Sequence, residues 1–65
     1  MKEDLSFYRR WIRRAINGRR GRWDEIITTC LVAIANRYGF DPANRAIEDF
    51  ELEALGWPQK KEATP

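Results

Sequence analysis

The sequence predicts an all-α protein: a compact three-helix bundle with short connections and a disordered C-terminal tail. Three observations carry this expectation. Apolar residues recur at helical spacing in three segments, and Gly and Pro punctuate the chain between and after them at Asn17-Gly18, Gly39 to Pro42 and Gly56 to Pro58. No alternating run of β-branched residues is long enough to form a strand. The helices are expected at about 5–16, 25–38 and 42–55 within one domain of residues 1–58, leaving 59–65 as a flexible tail.

The first helix follows from Leu5, Tyr8, Trp11, Ile12, Ala15 and Ile16, which at 100° per residue fall within one arc of about 140°. Arg9, Arg10, Arg13 and Arg14 cover most of the other side. Asn17-Gly18 is expected to end this helix, because Gly readily takes the left-handed conformation that closes a C-terminus. Arg19-Arg20-Gly21-Arg22 then reads as a basic loop.

Asp24 is expected to cap the second helix with its carboxylate, Glu25 favouring the positive end of the dipole. Trp23, Ile27, Cys30, Leu31, Ile34, Ala35 and Tyr38 form a broad stripe, widened by Ile26 and Ala33, as suits a helix that contacts both others. Gly39 marks its end, with Phe40 folding back on the last turn. Asp41-Pro42 restarts the chain as a capping side chain followed by proline at the first helical position. The third helix has Ala43, Ile47, Phe50 and Ala54 as its seam and is acidic through Glu48, Asp49, Glu51 and Glu53.

Size and composition exclude several classes. A chain of 65 residues makes one domain at most and buries only about 60% of its unfolded surface, so self-association is a live expectation. Cys30 is the only cysteine and there is no His, which leaves neither a disulfide framework nor four zinc ligands, and no metal or cofactor is expected. A lone thiol fits a reducing cytoplasm. The N-terminus lacks the apolar run of a signal peptide, and no stretch approaches the roughly 20 apolar residues of a membrane span.

Catalysis is not expected, nor is a small-molecule substrate. The usual general base is missing, and Glu48 and Glu51, three apart on one helix, have nothing converging on them. Gly18 and Gly21 lack the preceding strand and the following Lys-Ser or Lys-Thr of a phosphate-binding loop. Cys30 lies on the buried stripe with no neighbouring cation in sequence to activate it, which makes it a core residue.

The charge pattern is the informative feature. Net charge is +2, yet residues 1–22 carry eight basic against two acidic side chains, and residues 23–58 carry two basic against seven acidic ones. Seven of the eight N-terminal cations are Arg, whose planar fork binds phosphate or carboxylate bidentately and stacks on bases or rings. Arg9, Arg10, Arg13, Arg14, Arg19, Arg20 and Arg22, with Phe7 at the border of the Arg face, are therefore the candidate site, and the expected partner is a polyanion. Nucleic acid is the first choice, contacted through its phosphate backbone with little sequence preference.

The alternative is a protein-interaction factor: a regulator or inhibitor docking on an acidic protein surface, or a subunit of a homo-oligomer held by basic-helix to acidic-helix contacts. Val32 and Leu52 fall about 140° from the core residues Ile27 and Ile47 on their helices, and with Leu55 they are the expected oligomer contact.

Arg20-Gly21-Arg22-Trp23, with Tyr38-Gly39 fifteen residues after the tryptophan, resembles the opening of a Myb/SANT repeat, a three-helix DNA-binding family. The resemblance covers roughly 20 of 65 residues and implies DNA reading by the third helix. That helix is acidic here and would be repelled by phosphate, so the resemblance assigns no site residue.

Overall fold

The computed structural model describes residues 4–59, which form an all-α, compact bundle of three helices and a final short turn of helix: α1 (Leu5–Gly18), α2 (Trp23–Tyr38), α3 (Phe40–Asp49) and α4 (Leu52–Leu55). The tail expected from residue 59 lies, beyond Gln59, outside the described residues. α2 is the central element, packed by α1 on one side and α3 on the other.

Helix α1 starts on Asp4, whose carboxylate accepts a hydrogen bond from the Phe7 N–H at 2.9 Å and so satisfies one of the unpaired donors of the first turn. It runs two residues past the expected end at 16. Gly18 stays helical, and the left-handed cap is Arg19, at φ 47° and ψ 43°. A non-Gly residue there costs about 1–2 kcal/mol. Three contacts offset it: the Arg19 N–H bonds the Ala15 carbonyl at 2.8 Å, its Nε donates to the Ile16 carbonyl at 3.3 Å, and its guanidinium lies 5.3 Å from the Trp23 ring centroid.

Helix α2 begins at Trp23, earlier than expected, with Arg22 in the capping position and no side-chain cap. Asp24 is therefore inside the first turn, where it and Glu25 act on the helix dipole instead of capping. At the other end Gly39 takes φ 97° and ψ 177°, a conformation essentially reserved for Gly, and serves as both the C-cap of α2 and the N-cap of α3. This one-residue joint moves the start of α3 forward to Phe40. Asp41 consequently caps nothing, Phe40 does not fold back and is 36% exposed, and Pro42 sits within the first turn, where its missing N–H is harmless.

The largest departure lies at the third helix, which does not continue to 55. It stops at Asp49, Phe50 and Glu51 form a turn with Glu51 left-handed at φ 54°, and α4 follows. In a continuous helix Leu52 would point about 140° away from Ile47. The break re-aims it, and Leu52 is fully buried, at 0% exposure. Leu52 therefore cannot contribute to an oligomer contact. Val32 and Leu55 do remain exposed.

Beyond α4, the Trp57 N–H bonds the Leu52 carbonyl at 2.9 Å, and the indole returns to α2. Its Nε1 donates to Thr28 Oγ1 at 3.0 Å and its ring meets Trp23 edge to face at 5.9 Å. The C-terminal segment is thus tied to the N-terminal half of the central helix.

The core is apolar throughout, with no buried polar or charged side chain among the described residues. Ile12, Ile27, Ile34, Ile47 and Leu52 are its largest fully buried members. Trp11, Tyr38 and Ala54, all expected on buried stripes, are exposed. α1 and α3 meet at long side chains from Arg9 and Arg13, so Trp11, at the opposite edge of the α1 stripe, has no third helix over it.

Replacing Leu52 by Ala should lower unfolding free energy by about 2–5 kcal/mol, enough to remove most of the stability of so small a domain. Leu55→Ala, on the same short helix but partly exposed, should change it by no more than about 0.5 kcal/mol. Urea denaturation followed by circular dichroism distinguishes the two, and equal effects would show that Leu52 is not the residue the break exists to bury.

Candidate nucleic-acid interface

The seven candidate arginines separate into three groups by where the helices carry them. Arg9 and Arg13 lie on the flank of α1 that turns toward the end of α3. Arg9 Nη2 is 2.7 Å from Asp49 Oδ2, and its guanidinium lies 5.2 Å from the Phe50 ring centroid. Arg13 lies over the same ring at 5.7 Å. The basic-helix to acidic-helix contact expected between copies is thus made, for this pair, within one chain. With side-chain exposures of 30% and 43%, the Arg9–Asp49 pair is partly screened and contributes modestly.

On the opposite flank are Arg10 and Arg14 with Phe7 and Trp11. Phe7 is half-buried, packing edge to face on Tyr8 at 5.3 Å and on Trp11 at 6.4 Å, so it supports the surface more than it forms it. Trp11 is the exposed member, at 41%, with the Arg14 guanidinium 5.8 Å from its ring centroid. It walls three adjoining grooves. One is bounded by Phe7, Arg10 and Arg14. The second, of about 350 Å³, has Ile26, Thr29 and Cys30 from α2 with Arg22 and Glu25 at its end. The third reaches Arg19, Arg20 and Trp23.

The loop arginines differ from one another. Arg19 is pinned as the cap of α1, Arg22 pairs with Glu25 at 3.3 Å on an open surface, and Arg20 is exposed. Arg10, Arg13, Arg14 and Arg20 have no hydrogen-bond acceptor or ion-pair partner among the described residues. Their donors are available to an anion. Among the described residues Glu25 is the one acid lining the grooves around Trp11, and Arg22 already faces it.

Sequence reasoning placed Trp11 in the core and so missed the residue on which the surface is centred. The signal was present in the sequence: Arg10 precedes Trp11, and Arg14, three residues on, shares its side of the helix.

Cys30 lies at the floor of the second groove, 7% exposed, and burial pushes its thiol up from the ordinary value. A higher pKa leaves less thiolate at any given pH, which makes it a poor nucleophile. Among the described residues no group of three or more His, Cys, Asp or Glu is placed to hold a metal ion, and no helix is long and apolar enough to cross a membrane. Comparisons with protein families, with characterised proteins and with solved structures find no match to this chain.

A double-mutant cycle on Arg9→Ala and Asp49→Ala should return a coupling of about 0.2–1 kcal/mol at low salt, shrinking in molar salt. Zero coupling would mean that the pair adds nothing to stability in solution. Cys30 should react with iodoacetamide at pH 8 much more slowly in the folded protein than in denaturant. Equal rates would show that burial does not protect the thiol.

Proposed function

We propose that the protein is a small, non-catalytic binding protein that holds nucleic acid through its phosphate backbone, using Arg10, Arg13, Arg14 and Arg20, with Arg19 and Arg22 at the margin. The observation that supports this most is the exposed indole of Trp11 beside Arg10 and Arg14, whose donors have no protein acceptor among the described residues. Charge supplies attraction to phosphate, and an aromatic plane supplies contact with bases. These groups offer charge and a stacking plane, so contacts are expected mainly with the phosphate backbone and sequence preference is expected to be slight. Arg9 leaves the binding set, because Asp49 neutralises it. The absence of His from the sequence and a protonated, buried thiol favour binding over catalysis, and the same single cysteine suits a reducing cytoplasmic setting.

A second reading rests on the same surface. Trp and Arg are the residue types that dominate protein–protein hot spots, so an acidic protein surface would also find anchors here. In that case the purified protein would retain a specific protein and show no excess absorbance at 260 nm.

The test is salt dependence with charge reversal. Four or five phosphate contacts give a slope of log K against log[salt] near about −4 on duplex DNA. Replacing Arg10, Arg13 and Arg14 by Glu should weaken binding by more than about 100-fold at 0.1 M salt. Unchanged affinity in the triple variant would overturn the proposal.

A further inference from the structure

We infer that the preferred ligand of this surface is single-stranded nucleic acid, with an unpaired base stacked against Trp11 in the groove between α1 and α2. This rests on the nucleic-acid reading above and specifies its substrate. Three features carry it. The indole is exposed and stands as a wall shared by adjoining grooves, not as a lone surface ring. The groove on the α2 side is shallow and open, about 350 Å³, with Ile26 and Cys30 as its apolar lining and the Arg22–Glu25 pair at its end. A planar ring can lie on such a surface against the indole, whereas the stacked bases of a duplex have no free face to offer it. Finally, cations lie on both sides of the indole, with Arg10 and Arg14 along α1 and Arg20 across the groove that runs to Trp23. A strand whose base is held at Trp11 therefore meets a donor for phosphate on either side.

Duplex DNA would gain only the charge. Its bases are already stacked on one another, and exposing one to Trp11 requires unstacking at a cost of a few kcal/mol. An unpaired base has a free face. Stacking on an aromatic side chain is worth about 1–3 kcal/mol per base, a factor of about 5–150 in affinity, and it tolerates any base. Arg14 makes a cation–π contact with the indole, 5.8 Å from the ring centroid, so a cation stands beside the ring on which the base would stack.

The experiment compares fluorescence-anisotropy titrations of the full chain with an oligothymidylate single strand and with a duplex of equal length, at one salt concentration. The single strand should bind more tightly. Trp11→Ala should lose about 5- to 150-fold on the single strand and less than about twofold on the duplex, and Trp11→Phe should recover most of the loss. Circular dichroism should show both variants folded, since Trp11 lies at the edge of the core. If the duplex binds as well as the single strand, or Trp11→Ala weakens both equally, the stacking inference is wrong and the backbone-binding proposal stands. If neither nucleic acid binds, both are wrong.

Discussion

The turn at Phe50 and Glu51 is the constraint on which the bundle depends, because it settles three things that a straight third helix would leave open. It directs Leu52 into the space beside Ile47, it sends the chain back so that Trp57 reaches Thr28 and Trp23, and it leaves the Phe50 ring at the end of α3 where Arg9 and Arg13 cover it. A left-handed Glu is unfavourable by itself. Burying a whole leucine side chain is worth about 1.5–3 kcal/mol, which matches or exceeds the roughly 1–2 kcal/mol that the left-handed residue costs.

That gain matters because the chain has few other resources. With a single cysteine there is no disulfide, and no interior polar network is seen among the described residues. Stability rests on a small set of aliphatic residues drawn from all four helical segments, together with end closures such as Asp4 on α1 and Trp57 on α2. The aromatic and guanidinium contacts lie around this core. Arg37, for example, rests 5.9 Å from the ring centroid of Tyr8, joining the C-terminal end of α2 to α1.

Much of the fold was legible in the sequence, and the reasons are local. Ile12, Ile27, Ile34 and Ile47 follow from helical periodicity, and Gly39 and Gly56 mark turns that are occupied at positive φ. Glu51 was not legible: a glutamate carries no local signal for a left-handed turn, and only the core vacancy that Leu52 fills selects it. Trp11 failed for a related reason. Period tells which side of a helix faces its neighbours, but not how far those neighbours extend, and here α3 covers the Arg9 edge of α1 and leaves the Trp11 edge bare. The division of the arginines into bundle contacts and free donors depends on that same packing, so the charge count located the candidate surface without saying which cations belong to it.

The acidic side chains of α3 and α4 have a further effect, on approach. Glu48, Glu51 and Glu53 are exposed and follow α2 in the chain, accompanied there, among the described residues, by one exposed cation, Arg45, whereas Arg10, Arg13, Arg14 and Arg20 stand on α1 and its loop. A polyanion of the proposed kind would be repelled by the acidic set and attracted to the basic one, which would amount to a torque before any contact is made. Encounters would be sorted by orientation at distances of about a Debye length, near 8–10 Å at physiological ionic strength. The small net charge of the chain conceals this asymmetry, which would bear on the kinetics of the proposed capture more than on the strength of a complex.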